Sequence, residues 1–353
     1  MSDPGFSLQV PCAHGAPPIT GRIRATLDDF KVDEQLGFEA DGAGAHVLLG
    51  VEKRGANTGW VAAQIARHAG VAVREVGFSG HKDRHAVTRQ QYSVPLPTST
   101  DAVACLDWQG EGYRVLTARR HARKLRPGSH RANRFEIAVR DVHGDASLVS
   151  ARLQAIAMRG VPNYFGPQRF GREGNNLERA LAWANGGPGP RERGQRSFVL
   201  SAARSYLFNV VLMERVRRGD WDQLLPGEAV ILDGKRSFFG ATDIDQALLA
   251  RCRAGDVHPS GPLAGRGEHA ASDEALRVEE AVLDPHASLL ALLANERIGH
   301  ERRSLRLPVR EFEWEHDSAG LVLRFTLPRG TFATAVLHEL IGDAWDATEG
   351  GED

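Results

Sequence analysis

Between Gly80 and Thr88 the chain sets one carboxylate, Asp83, among a lysine, an arginine and two histidines: Lys82, Arg84, His81 and His85. Three readings compete for such a cluster. The first is a solvated charged loop with no chemical role. In the second, His81, Asp83 and His85 alternate as ligands on one side of a strand would, and hold a metal ion. In the third, Asp83 is a nucleophile or general base whose ionised form the nearby cations favour. Against the metal stand the interleaved charges of Lys82 and Arg84, which would repel a divalent ion, and the lack of a further Cys/His/Asp cluster in the sequence to complete a shell. Cys12, Cys105 and Cys252 are isolated, with no Cys-x-x-Cys pair for zinc or redox work, and read as plain thiols.

The elements that must hold this loop are legible in part. Asn57-Thr58, then Trp60, Val61 and Ile65, closing at Gly70, predict a capped helix. Val71 to Phe78 predicts a short strand, and Gly77 and Gly80, three apart, permit a tight turn or close backbone approach. Asp83 is then expected in a loop just past a strand end, where chemistry is commonly mounted on a rigid scaffold. Phe135, Ile137 and Val139 alternate with polar neighbours as a half-buried strand does, which by periodicity makes Phe135 a core residue. Asp145 to Arg159 reads as a helix stopped by Gly160 and Pro162, and Asn163 to Gly171 is turn-rich, aromatic and of neither period. Ser201 to Arg218 predicts a second long helix, with Arg215, Arg217 and Arg218 as a cationic last turn. Leu321 to Leu327 alternates as a strand, a helix is expected from Ala333 to Ile341, and Thr348 to Asp353 is a polar tail.

The chain has 353 residues, 42% hydrophobic and 25% charged, the composition of a globular protein long enough for two domains. No apolar run is long enough to span a bilayer and Met1 to Val10 has no signal-like character, so a cytoplasmic protein is expected. The net charge of −1 hides an asymmetry: Gly112 to Phe135 carries eight Lys or Arg residues and no acid. Such a run is either a solvated face or a surface for phosphate.

The segment Gly77 to Gln90 resembles the signature of the TruD family of tRNA pseudouridine synthases, and it does not stand alone. Asp28 to Glu34, Glu52 to Thr58, Lys124 to Gly128 with Asn133 to Phe135, Asn163 to Gly171, Leu200 to Asn209 and Leu327 to Thr334 resemble the same family, in the family's order, across nearly the whole chain. The resemblance implies an α/β fold of the α+β type. A catalytic domain with a mainly antiparallel sheet flanked by helices would comprise residues 1–159 and 307–353, with a second α/β domain, 160–306, inserted. It implies isomerisation of uridine 13 of tRNA, with glutamate tRNA as substrate.

On this chain the family's catalytic aspartate falls on Asp83, beside Lys82. The basic residue that pairs with it falls on Arg24, the aromatic ring set against the base on Phe135, with Arg134 between it and Asn133, and a second apolar wall on Phe332. Arg120, Arg123, Lys124 and Arg126 become a tRNA-facing surface, and Arg169 either touches RNA or belongs to a structural junction. The reaction breaks the bond from ribose C1′ to uracil N1 and rejoins the base through C5, which needs neither redox chemistry nor an activated donor. No cofactor is therefore expected, in keeping with the lack of a phosphate-cradling glycine motif, nor a metal, a membrane or an obligatory protein partner. The uridine must leave its stack to be reached. Rival readings are a tRNA-binding module without catalysis, and a metal-dependent hydrolase built on His81, Asp83 and His85.

Overall fold

The structure, a computed structural model, describes residues 6–317 and 320–342; the tail Thr348 to Asp353 lies outside them. The first half of the chain forms β1 (Ile19–Arg22), β2 (Phe30–Gln35), β3 (His46–Arg54), α1 (Thr58–Ala69), β4 (Gly77–Phe78), β5 (Val87–Pro95), β6 (Gln109–Gly110), β7 (Tyr113–His121), β8 (Ala132–Gly144) and α2 (Ala146–Arg159). There follow β9 (Val161–Pro162), α3 (Asn175–Ala184), α4 (Arg193–Arg218), β10 (Glu228–Leu232), β11 (Phe238–Ala241), α5 (Gln246–Ala254), β12 (Val257–His258), β13 (Ser260–Leu263), α6 (Asp273–Leu283) and α7 (Ala287–Asn295). The last part holds β14 (Glu301–Ser304), β15 (Arg306–Leu307), β16 (Arg310–Asp317), β17 (Gly320–Pro328) and α8 (Ala333–His338).

A ten-stranded sheet runs β16-β17-β8-β2-β5-β3-β7-β6, with β1 added to β8 and β4 to β5. Its pairs are antiparallel except β2 with β5, which are parallel. Directly opposed residues share a face. Val32, Phe135 and Phe325 are opposed across three strands, as are Leu49 and Tyr92 across β3 and β5, and all are buried. α1 covers one half of this apolar face through Val61 and Ile65. α2 and α8 cover the other through Val149, Leu153, Val336 and Leu337. On the opposite face the intervening residues form ladders of ion pairs, Lys31–Glu136–Arg324 and Arg89–Glu52–Arg114. Exposed pairs contribute about 0–1 kcal/mol each and a buried aliphatic or aromatic side chain roughly 1.5–3 kcal/mol, so the apolar face decides the register.

A second core gathers on α4, whose Leu207, Phe208, Val211 and Leu212 pack with Leu177 of α3 and Leu289 and Leu293 of α7. Phe6, Leu8 and Val10 of the N-terminal segment lean on this core and not on the sheet. The chain passes from one region to the other at β9 and returns at β15. These two strands pair antiparallel, Val161 opposite Leu307 and Pro162 opposite Arg306.

Several elements differ from their sequence expectation. Val71 to Phe78 is a strand only at Gly77–Phe78, because the Glu75 carboxylate accepts the Ala72 N–H at 3.0 Å and folds Val73–Glu75 into a 3-10 turn. α4 begins at Arg193, eight residues before Ser201; its first turns carry no buried stripe, and Phe198 is exposed. Arg215 is no ordinary cap: its buried guanidinium joins Asp220 at 2.7 Å and Glu228 at 3.1 Å. α8 stops at His338 because Leu340 and Ile341 turn to pair with Ile19.

Gly160 ends α2 at φ 75°, and a Cβ there would lie 2.3 Å from the Leu307 carbonyl oxygen of β15. Gly160→Ala should therefore lower the unfolding free energy by about 2 kcal/mol or more in urea denaturation. A change within about 0.5 kcal/mol would contradict the close approach of helix end and crossing strand.

Candidate active site

The segment Ser79 to Ala86 leaves β4, crosses the apolar face of the sheet and enters β5. Its start is fixed by the Gly128 N–H, which donates to the Ser79 carbonyl at 2.7 Å. Gly77 is required there, since a Cβ would meet the Leu125 carbonyl oxygen at 2.4 Å. The middle is held from below by four buried polar side chains, those of Glu34, Lys53, Thr58 and Gln90. Lys82 Nζ reaches Glu34 Oε2 of β2 at 2.5 Å, with side chains 5% and 0% exposed. Lys53 of β3, fully buried, donates to the carbonyl oxygens of Asp83 at 2.7 Å and Lys82 at 3.3 Å. The Thr58 hydroxyl accepts the Lys82 N–H at 3.0 Å and donates to Gln90 Oε1 at 2.9 Å, while Gln90 Nε2 donates to the Gly80 carbonyl. Thr58 therefore opens α1 yet spends its hydroxyl on the loop.

Held this way, Asp83 turns its side chain outward, 22% exposed. Oδ2 accepts from Arg24 Nη2 and Oδ1 accepts the His85 N–H at 2.9 Å. Arg24 adopts φ 56°, a left-handed conformation uncommon for its type, and its guanidinium lies over the Phe30 ring, 4.2 Å from the centroid. Phe30 meets Phe135 edge to face at 6.2 Å, and Phe135 stacks on Phe325 at 5.3 Å. Asp83, Arg24, Phe30 and Phe135 thus form one connected series from surface to core.

Asn133 lies directly opposite Glu34 in register, hence on the same face, and its Oδ1 is buried with no hydrogen-bond partner among the described residues. His130 packs beside Gly80; burial, reinforced by the Lys82 ammonium, lowers its pKa. Phe332, the residue before α8, lies against Phe165, ring centroids 6.2 Å apart. The loop that carries it is tied to the neighbourhood by Arg329, which donates to the Gly128 carbonyl and through its N–H to the Arg131 carbonyl.

The expected residues divide. Asp83, Lys82 and Arg24 come together, and Asn133 and Phe135 lie on the face that the loop crosses. Phe135 is only 7% exposed, as its strand periodicity requires. Among the basic residues, Arg120 donates to the carbonyls of Leu96, Pro97 and Thr100, and Lys124 to that of Arg74, so both staple loops of their own chain. Arg123 and Arg126 are exposed with no side-chain hydrogen bond or ion pair among the described residues, and Arg169 bonds Ser201 and Ser205. His81, Asp83 and His85 do not gather: among the described residues no group of three or more His, Cys, Asp or Glu is arranged to hold a metal ion. Glu34 and Lys53 were readable as anomalies. Each continues an apolar alternation, Phe30-Val32-Glu34 and Val47-Leu49-Val51-Lys53, and a charge on a buried face demands a partner.

This arrangement, a loop carboxylate paired with a guanidinium over the apolar face of a mainly antiparallel sheet, defines an α+β protein with a solved counterpart. A Methanosarcina mazei crystal structure ascribed to tRNA pseudouridine synthase D (TruD) superposes with a TM-score of 0.73, covering 94% of this chain and 95% of that one at 22% identity. The family profile described as tRNA pseudouridine synthase D (TruD) matches residues 11–178 and 192–340. Proteins named tRNA pseudouridine synthase D are 46% identical in Nitrosococcus oceani, over 94% of each chain, and 46% identical in Xanthomonas campestris pv. campestris, over 98% of this chain and 97% of that one. The chain belongs to the TruD family of pseudouridine synthases, which are isomerases.

Glu34→Gln would leave the Lys82 ammonium buried without its counter-charge. Removing one partner of a buried pair costs roughly 3–5 kcal/mol. Chemical denaturation of Glu34→Gln should show a loss of that size, and Glu34→Leu with Lys82→Met together a smaller one. A single-variant loss below about 1 kcal/mol would mean the pair does not anchor the loop.

Proposed function

We propose that this chain isomerises uridine to pseudouridine in tRNA, at uridine 13 and with glutamate tRNA as substrate, using Asp83 as the catalytic carboxylate without a cofactor. The observation that carries the reading is the Arg24–Asp83 pair, mounted on the family's signature segment with both carboxylate oxygens already oriented. As nucleophile at C1′ or as base toward a ribose proton, Asp83 needs a fixed, accessible carboxylate. Arg24 and the His85 N–H supply the fixing.

The C1′–N1 bond breaks, the freed uracil turns, C1′ bonds to C5, whose proton is released, and N1 takes up a proton in its place. Pre-positioning matters because the base must be retained while detached. In this reading Phe135, beneath Phe30 and Arg24, is the floor of the uridine site and Phe332 a wall. The unpaired Asn133 Oδ1 is an acceptor of the kind the uracil N3–H requires. Arg123, Arg126 and Arg169 meet the RNA backbone, where cations act on phosphate.

Two further points belong to the proposal. Residues 1–159 and 307–353 form the catalytic unit and 160–306 an inserted one, a division supported by the separate cores and the paired crossing strands, with the N-terminal segment leaning on the insert. The site of action is the cytoplasm; no helix of the described residues is long and apolar enough to cross a membrane.

Nucleotide-resolution mapping of pseudouridine in tRNA from cells with and without the protein tests the reading. The modification at position 13 should disappear with the protein and return with its expression. An unchanged map, or loss at another position alone, would overturn the assignment.

A further inference from the structure

Two guanidiniums lie against the ring of Phe165, and neither has a carboxylate partner among the described residues. Arg303 of β14 sits 4.1 Å from the ring centroid and Arg169 sits 5.5 Å from it. Every partner of theirs is neutral. Arg303 Nη2 donates to Asn163 Oδ1 at 2.6 Å, its Nη1 to the Gly330 carbonyl at 2.9 Å, and its Nε and Nη2 reach the Asn163 carbonyl at 3.4 Å. Arg169 Nε donates to Ser205 Oγ at 3.2 Å and its Nη2 to Ser201 Oγ. The contrast with the adjoining residue is sharp: Arg302, one position away, is matched by both carboxylate oxygens of Glu279.

Burial, with the nearby Arg169 guanidinium adding to it, pushes the Arg303 pKa down to about 9, and burial lowers that of Arg169. Arginine stays charged in proteins, so such lowering marks a cation short of its counter-ion. A guanidinium has five N–H donors, and Nη1 of Arg169 has no partner among the described residues. The platform is also rigid. Asn209 clamps Phe165 by accepting its N–H at 3.0 Å and donating to its carbonyl at 2.9 Å. It adjoins the proposed uridine site, because Phe165 touches Phe332 and Arg303 holds the Gly330 carbonyl two residues before it.

We propose that Arg169 and Arg303 form an anion site for a phosphodiester of the RNA backbone beside the target uridine. The proposal rests on the isomerase reading for the identity of the RNA. Guanidinium is the side chain suited to this ligand, offering paired, charge-assisted donors to phosphate oxygens. The bound phosphate supplies the missing counter-charge and fixes the strand next to the Phe332 wall.

The test compares wild type with Arg169→Gln, Arg303→Gln and Arg303→Lys, using a tRNA transcript with uridine at position 13. Binding is measured across a salt series, with steady-state kinetics and thermal melting alongside. Each Gln variant should bind about ten-fold more weakly, and its log Kd against log salt should flatten by roughly 0.7–0.9, the loss of one phosphate contact. For Arg169→Gln, which leaves the Arg303–Gly330 contact in place, KM should rise while kcat at saturation stays unchanged, a split that general structural damage would not produce. Arg303→Lys should keep the wild-type salt slope. If Arg303→Gln fails to fold, Arg169→Gln and Arg303→Lys decide. Wild-type affinity and slope in folded Gln variants would overturn the site. If those variants also turn over as wild type does, the isomerase reading survives alone. If wild type makes no pseudouridine yet the Gln variants lose RNA binding, the anion site stands and the isomerase reading falls.

Discussion

A lysine ammonium buried under a loop must be neutralised or the loop cannot lie down, and here Glu34 neutralises Lys82. The contact joins the signature loop to the second strand of the sheet, across 48 residues of sequence. Lys53 adds a second buried cation directed at the carbonyls of Lys82 and Asp83, so the backbone at the candidate carboxylate is gripped on both sides. Two charged groups in a protein interior are costly by several kcal/mol each unless paired with good geometry. Their place here is explained by position: they fix the loop that carries Asp83, whose side chain is turned outward and held by Arg24 and the His85 N–H.

The sheet makes that grip possible. Its charged face is occupied by cross-strand ion pairs, leaving the apolar face for α1, α2, α8 and the crossing loop. The junction with the second core is arranged on similar lines. Arg303 comes from β14 before the return crossing, Asn163 follows the outward crossing, and Gly330 follows β17, so one guanidinium binds three segments that sequence keeps far apart. The wall bearing Phe332 is therefore coupled to the strands at which the chain passes between its two cores.

Much of this was legible before the fold was known, for identifiable reasons. Asp83 sits past a strand end in a glycine-flanked, charged segment, and the alternation around Phe135 marks a half-buried strand at the right residues. The helices closing at Gly70 and Gly160 carry their stop signals in sequence, and both end there. The parallel pairing of β2 with β5 has no local signal, since strand order is decided by which apolar faces meet. For the same reason the partners of Glu34 and Lys53 could not be named, although their charges on buried faces were visible. Nor does sequence reveal whether a basic residue points at solvent or at its own backbone. Arg120 and Lys124 donate to backbone carbonyls, Arg123 and Arg126 do not, and all four look alike in the string. Arg303 gave no warning at all, because its distinction is the absence of an acid near it in space.

The central claim is that the buried frame positions Asp83 and that its carboxylate performs the chemistry. Single-turnover measurement of Asp83→Asn tests this most directly, with enzyme in excess over a glutamate tRNA transcript and the dissociation constant determined in parallel. The account predicts tRNA bound with near wild-type affinity and no pseudouridine formed. Pseudouridine accumulating at the wild-type rate would contradict it.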